Sequence, residues 1–331
     1  MLMELFRLLL SLTIILFCCE LFTNSIEWLG KKMNLGDGVT GSILSAVGTC
    51  LPETIIPIIA ILFNEGSSDI GVGAILGAPF MLGTLAFFLT GLSVIVFRKK
   101  RKTGMAMKVN AAILRRDIGF FIFIYSIGIS VCLIQAQNFK YYIAAFLVVC
   151  YLVYIMLTVK SDRRISHDVD PLYLGSLLHT KPYMFFILFQ LGIALFGIIV
   201  GAETFVKCIE AFADKLNISK LALSLIIAPI ATELPEKFNS IIWISKKKDT
   251  LALGNITGAM VFQSCIPVSI GIAVTPWVLE AKALVSAILA LLSALLVYLW
   301  LKVKGRLSPV PLMAGGFFYA IFIAYLMLTG F

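Results

Sequence analysis

GTCLPE at residues 48–53 and ATELPE at residues 231–236 are two versions of one hexapeptide, 183 positions apart. Shifted by that interval, the two halves of the chain align without a gap from Glu20–Glu53 against Glu203–Glu236. Eleven of the 34 pairs are identical: Glu20/Glu203, Phe22/Phe205, Ile26/Ile209, Glu27/Glu210, Lys32/Lys215, Asn34/Asn217, Ile43/Ile226, Thr49/Thr232, Leu51/Leu234, Pro52/Pro235 and Glu53/Glu236. The polar matches matter most, because a shared apolar composition does not align glutamate with glutamate. After a short gap the similarity resumes, with GAILGA at 73–78 against GNITGA at 254–259.

The 331 residues around this repeat are 60% hydrophobic and 14% charged. Soluble globules average about 45–50% apolar and about 25% charged residues. The same composition excludes a disordered chain and a disulfide-stapled secreted fold. The 7 cysteines are odd in number and lack CxxC spacing, which argues against a zinc site. Both histidines, His167 and His179, fall in one central polar segment, so intramembrane Ser-His or HExxH chemistry is excluded.

A helix needs about 20 mostly apolar residues to cross roughly 30 Å of hydrocarbon. That rule gives ten spans, at about 4–24, 41–63, 70–97, 117–136, 141–159, 182–202, 219–243, 250–274, 278–301 and 309–329. The third is long enough to tilt, or to break near Pro79. Five spans per copy of the repeat is an odd number, which turns the second copy upside down. The expected fold is therefore an all-α membrane protein of ten transmembrane helices in two inverted five-helix repeats. Residues 1–159 form the first, 160–181 a short linker and 182–331 the second. Many secondary transporters are built this way, with sites near the midplane where the repeats meet. The repeat also argues against reading the segment after Arg7 as a cleaved signal peptide.

Most of the 27 lysines and arginines lie in the odd-numbered loops: Lys31–Lys32, Arg98–Lys102 with Lys108, Arg115 and Arg116, Lys160–Lys181, Lys246–Lys248 and Lys302–Arg306. By the positive-inside rule those loops, the linker included, are cytoplasmic and both termini lie on the opposite side. The net charge of +9 is thus a topology signal read against the lipid bilayer, with no nucleic-acid partner implied.

Glu53 and Glu236 fall toward the middle of the second and seventh spans. A charge at the bilayer centre costs about 2.5–3.5 kcal/mol on insertion scales, so these carboxylates call for a cation, protons or water. Pro52 and Pro235 each remove a backbone donor, which frees the carbonyls of Gly48 and Ala231. With the hydroxyls of Thr49 and Thr232, these are the oxygen ligands a hard cation such as Ca²⁺ takes. A proline kink with a satisfied glutamate is the structural alternative. Glu233 has no acidic counterpart, since Cys50 stands there. It is either a ligand or proton carrier, or a partner for Lys237. Glu53, Glu233 and Glu236 would carry three negative charges, one more than a single Ca²⁺ neutralises, which suits proton exchange.

The duplicated Pro-Glu segments resemble the two signature repeats of the calcium/cation antiporter superfamily, the sodium/calcium exchangers. There a Gly-Thr-Ser-x-Pro-Glu segment is followed by an acidic residue and a Gly-Asn-x-x-Gly-Ser-Asn-like helix. Asp69–Phe80 and Asp249–Phe262 match that later part. The resemblance implies alternating access, with Ca²⁺ held by Glu53 and Glu236 and with Thr49 and Thr232 contributing to cation sites. It implies no resident cofactor, only transported Ca²⁺ and a counter-ion, Na⁺ or H⁺. Here Cys50 and Glu233 replace the family serines, and Pro79 and Met260 replace residues of its sodium sites. Those departures favour H⁺. Asn255 in the eighth span is a further ligand candidate or an interhelical hydrogen-bonding residue, with Thr257, Gln263 and Asn239 as weaker polar positions.

Glu20/Glu203 and Glu27/Glu210 form a second duplicated set, lining a pathway or lying solvated at the interface. Asp162, His167, Asp168 and Asp170 faintly suggest a metal site in a linker too short for a folded regulatory domain. The competing functions are transport of Mn²⁺ or Mg²⁺, which also prefer oxygen ligands, a channel, or a degenerate scaffold. An intramembrane aspartyl enzyme lacks its aspartate pair, since the expected spans hold essentially no aspartate. The sequence leaves the oligomeric state open.

Overall fold

The structure is a computed structural model, and it describes residues 2–32, 50–63, 68–101, 104–161, 170–245, 247 and 249–329. Among the described residues the chain is helical, and its one β-type pairing is an isolated bridge between Met107 and Leu307. The helices are α1 (Leu2–Lys32), α2 (Leu51–Leu62), α3 (Ser68–Met81), α4 (Phe87–Val96), α5 (Ala111–Ser130) and α6 (Gln137–Ser161). They continue as α7 (Tyr173–Leu177), α8 (Met184–Leu216), α9 (Lys220–Thr232), α10 (Leu234–Ser245), α11 (Asp249–Val274), α12 (Ala281–Lys304) and α13 (Pro309–Thr329).

Eight described helices are long and apolar enough to cross a membrane, α3 and α4 counting as one, and α2 and α9 are shorter apolar helices. Large apolar side chains such as Phe6, Phe17, Phe123, Phe185 and Phe196 face outward, where lipid rather than water suits them. Residues 41–49 of the expected second span lie outside the described residues. The expected fourth span begins too late. Asn110 caps α5, its Oδ1 accepting from the backbone N–H groups of Ala112 and Ile113 at 3.1 and 3.3 Å, so the helix starts at residue 111 and carries Asp117 inside.

The expected break near Pro79 falls a turn later. The α-helix runs through Pro79 to Met81 and then widens into a π-helical turn, Leu82–Ala86, before α4. A π turn displaces backbone carbonyls from the regular ladder, and this one uses them in packing. Ser293 on α12 donates to the Gly83 carbonyl at 2.6 Å. The Thr84 carbonyl faces Gly315 on α13, 2.3 Å from where a Cβ would stand.

Two apolar clusters make up the core. One joins α1 and α8 with parts of α2, α3 and α9, and the other spans α3–α6 and α11–α13. The α1–α8 seam depends on close backbone approach: a Cβ on Gly197 would stand 2.3 Å from Cys18 Sγ. The α3–α9 seam works in the same way. A Cβ on Gly73 would lie 2.8 Å from the Leu221 carbonyl, and one on Gly77 would lie 2.5 Å from the Leu225 carbonyl. Small residues let apolar helices approach this closely inside a membrane, where burial from water supplies no driving force.

Three basic loops share one end of the bundle. Arg101, buried, forms a two-pronged ion pair with Asp249 at the start of α11, at 2.7 and 2.6 Å, and donates to the Ile244 carbonyl at 3.0 Å. The Lys108 N–H also donates to Asp249, at 2.8 Å, and the Met107–Leu307 bridge ties in the loop after α12. Elsewhere Lys140, at the start of α6, donates to the Pro276 carbonyl between α11 and α12. Gly77→Val is expected to destabilise the protein by about 1–3 kcal/mol, the usual cost of forcing volume into a packed seam. A lowered unfolding temperature in detergent, with Gly192→Val as a control at a position with open space, is the check.

Candidate functional site

Both Leu-Pro-Glu tripeptides begin a helix. Leu51 opens α2 after Cys50, and Leu234 opens α10 after Glu233. Proline suits the first turn, where its missing N–H has no partner to lose. Each following glutamate is the third helical residue, near the positive end of the helix dipole. Upstream, α9 ends at Thr232 and Glu233 turns the chain with φ −89° and ψ 7°. Pro229 and Pro235 lack the N–H groups that would have met the carbonyls of Leu225 and Ala231, so backbone acceptors accumulate at this break.

Glu53 is 4% exposed and Glu233 0%. The two carboxylates are close enough to act on each other's charge, with the Thr232 hydroxyl beside Glu53 and the Gln263 amide of α11 beside Glu233. Among the described residues, no well-formed hydrogen bond reaches the four carboxylate oxygens or Gln263 Oε1. The neighbouring hydroxyls do not help, because their protons are committed to their own helices. Thr232 donates to the Ala228 carbonyl and Thr54 to the Cys50 carbonyl, both at 2.9 Å. A buried cluster of acceptors without donors is costly, and a hard cation removes that cost.

One positive charge is already there. Lys237, 4% exposed, places its Nζ 3.2 Å from Glu233 Oε2 and donates to the Pro229 carbonyl at 3.2 Å. The approach to Glu233 is an ion pair between two buried groups. Counting three carboxylates against one Ca²⁺ therefore omits Lys237, whose charge meets that of Glu233.

Of the residues singled out in the sequence, Glu53, Thr232 and Glu233 come together. Gly48 and Thr49 lie outside the described residues, as do the side chains of Ala231, Glu236 and Asn239. Asn255 is half-buried on α11 and, by helical spacing, about 80° around the axis from Gln263. Gln263 is the α11 side chain beside Glu233. Thr257 turns elsewhere, donating to Asp117 Oδ2 at 3.1 Å. Among the described residues no three or more His, Cys, Asp or Glu side chains form a metal-binding group.

Asp117 was not among the sequence candidates, and the expectation of essentially aspartate-free spans fails there. It is 2% exposed inside α5 and pairs with Arg116 at 2.9 Å. The Asn110 cap was the available signal, since it moves the helix start upstream. The second duplicated set is dispersed. Glu20 accepts from the Tyr173 hydroxyl at 2.7 Å, Glu203 pairs with Lys207 at 2.6 Å, and Glu210 lies 3.4 Å from Lys220. In the linker, Asp162, His167 and Asp168 lie outside the described residues. The Asp170 carbonyl accepts from Asn24 and Trp28, at 3.3 and 2.9 Å.

The family model described as sodium/calcium exchanger protein matches residues 3–160 and 186–331. In sequence, the chain is similar to the putative antiporter CaxA of Alkalimonas amylolytica, 23% identical over 322 residues, covering 96% of this chain and 95% of that one. In structure, it is similar to the crystal structure of the H⁺/Ca²⁺ exchanger CAX, with a TM-score of 0.74, 17% identity, and coverage of 98% of this chain and 82% of that one. It is also similar to the sodium-calcium exchanger NCX_Mj soaked with zero Na⁺ and Ca²⁺, with a TM-score of 0.58, 22% identity, and coverage of 98% and 99%. At these identities the structural likeness is one of fold.

Glu53→Gln is expected to raise the unfolding temperature in chelator by the equivalent of about 1–3 kcal/mol, because it removes a buried charge that lacks hydrogen bonds. It should also abolish any rise that divalent cations produce in the unmodified protein. Thermal melts with chelator and with Ca²⁺ decide both, and a lower melting temperature in chelator would count against the site.

Proposed function

The chain belongs to the sodium/calcium exchanger protein family, and from that premise we propose that it is a secondary antiporter exchanging Ca²⁺ for a monovalent counter-ion, H⁺ in our reading. The observation that carries this is the buried pair Glu53 and Glu233 at a helix break, two carboxylates approached among the described residues by a single ammonium group. In this reading Glu53 and Glu236 take the Ca²⁺. Thr49, Thr232 and the freed carbonyls of Gly48 and Ala231 complete its oxygen shell, with Glu233 and Asn255 in the same neighbourhood. Protons replace Ca²⁺ on the carboxylates in the return step.

The preference for H⁺ is supported by two buried apolar residues, Pro79 and Met260, standing where the family resemblance expects sodium-site side chains. The fold neighbours include exchangers of both kinds, so the choice rests on the site's chemistry. Alternating access is supported by the position of the carboxylates. Glu53 sits on α2, whose Ile56 and Ile59 belong to the α1–α8 cluster, whereas Gln263 extends from a helix of the other cluster. Relative movement of the two clusters would open the site to one side and then the other. We place this mechanism in ten membrane crossings arranged as two inverted repeats, with the basic loops and linker cytoplasmic and both termini outside. The gathering of Arg98–Lys108, the α10–α11 junction and the loop after α12 at one end supports that orientation.

Radiolabelled Ca²⁺ uptake into proteoliposomes, with an outward proton or an outward sodium gradient imposed separately, tests the proposal. Uptake driven by protons alone is expected, and Glu53→Gln should fall to the level of empty vesicles. Uptake that requires sodium would reassign the counter-ion. Absence of uptake under either gradient would sink the Ca²⁺ reading and direct the assay to Mn²⁺ and Mg²⁺, or to a scaffold role.

A further inference from the structure

We infer that Lys237 is a tethered counter-ion: its ammonium group takes the place of one transported monovalent cation beside Glu233. The exchanger would then move one fewer monovalent charge per divalent ion than the same site would without the lysine. The inference rests on the exchanger reading above and deepens it.

Geometry is the first support. The ammonium group sits 3.2 Å from a carboxylate oxygen and 3.2 Å from a backbone carbonyl, with 4% of the residue exposed. Carboxylate and helix-break carbonyl are the oxygen types that hold a small cation in a membrane site. A lysine ammonium is a compact point charge with three donors, and its four-carbon stem fixes it to α10. It can fill such a position but cannot leave the protein with the cargo. Its charge also reaches Glu53, so it acts on the shared cluster rather than on Glu233 alone.

Internal symmetry is the second, independent support. The 183-residue offset that pairs Glu53 with Glu236 also pairs Cys50 with Glu233 and Thr54 with Lys237. Positions 50 and 54 of the first repeat are both uncharged, and the Thr54 hydroxyl donates back to the Cys50 carbonyl at 2.9 Å. In the second repeat the same two positions carry one negative and one positive charge, in contact. The asymmetry between the halves is thus a neutral pair, a carboxylate together with its own cation. With that pair neutral, Glu53 and Glu236 supply two formal charges, which one divalent ion balances. A bare Glu233 would add a third charge and require a third monovalent ion on the return step.

A helix-stabilising pair at i and i+4 is the competing account, and it predicts no change in transported charge. The two accounts part when Ca²⁺ flux through the full chain in proteoliposomes is measured over a series of imposed membrane potentials, under fixed ion gradients. Wild type is compared with Lys237→Met, Lys237→Arg and the double variant Glu233→Gln/Lys237→Met. Lys237→Met is expected to shift the potential of zero net Ca²⁺ flux in the direction of one additional positive counter-charge per Ca²⁺. Lys237→Arg and the double variant should keep the wild-type value, at whatever rate they run. An unshifted Lys237→Met overturns the inference and leaves the exchanger reading standing. If Lys237→Met is silent, Glu233→Gln with the lysine kept decides: a shift by one positive charge in the opposite direction supports the tethered cation, and an unshifted value or silence overturns it. A wild type without Ca²⁺ flux overturns the exchanger reading itself, and the inference falls with it.

Discussion

Carboxylates removed from water among few donors are the constraint on which this structure turns. Around Glu53 and Glu233 the described threonine hydroxyls are already committed, and the Lys237 ammonium is the one charge that approaches Glu233. Thr232 and Thr54 bond back to their own helices. Pro52, Pro229 and Pro235 contribute no N–H at all. A soluble protein would satisfy such carboxylates with water or neutralise them. Within a packed bundle the same arrangement persists as a demand for cations, and an oxygen-rich, donor-poor cluster discriminates against anything that is not one. Helix breaks serve this end, because a regular helix turns its carbonyls into its own ladder whereas a proline leaves them available.

Holding such a site requires the surrounding helices to be rigid at some seams and separable at others. The Gly73 and Gly77 contacts bring α3 against α9 at backbone distance, directly over the carbonyl that Pro229 leaves without its helical donor. The Arg101–Asp249 pair is buried on both sides, at 0% and 1% side-chain exposure, and it locks the start of α11 to the loop after α4. Breaking a buried pair of this kind leaves an uncompensated charge and typically costs about 3–5 kcal/mol. By contrast, the α1–α8 pair shares few polar ties with the larger cluster. Glu20 of α1 accepts from Tyr173 at the start of α7, and Lys220 at the start of α9 lies beside Glu210 of α8. Glu53 and Gln263 come from opposite sides of this division.

What could be read from the sequence follows from how each feature is encoded. Helix number and extent are written in apolar length, and so the long spans emerged with approximate limits. Glu53 stood out in the sequence because Pro-Glu occurs twice at one fixed offset, a signal that composition cannot mimic. Asp117 was missed because Arg115 and Arg116 made its surroundings look like a loop, although the Asn110 cap marked the true helix start. Gln263 stood out as polar but not as a neighbour of Glu233, since that contact depends on how α11 is rotated against the α9–α10 break. The π turn after Pro79 has no local sequence mark. It follows from packing against Ser293 and Gly315, more than 200 residues away.

Lys237 shows why counting acidic residues is a poor guide to the charge of a membrane site. In sequence it follows the Pro-Glu pair and resembles any lysine near a helix start. Its significance depends on side-chain reach, which returns the ammonium group one turn upstream to Glu233. Three carboxylates and a lysine are electrically equivalent to two carboxylates only if the lysine stays within contact distance, and here it does. The second repeat thereby gains a carboxylate without gaining net charge, while the first keeps Cys50 and Thr54, which carry none. At these aligned positions the two halves then differ by a neutral pair rather than by a charge. Such a difference can change which ions are carried while leaving the electrostatics of the fold nearly as they were.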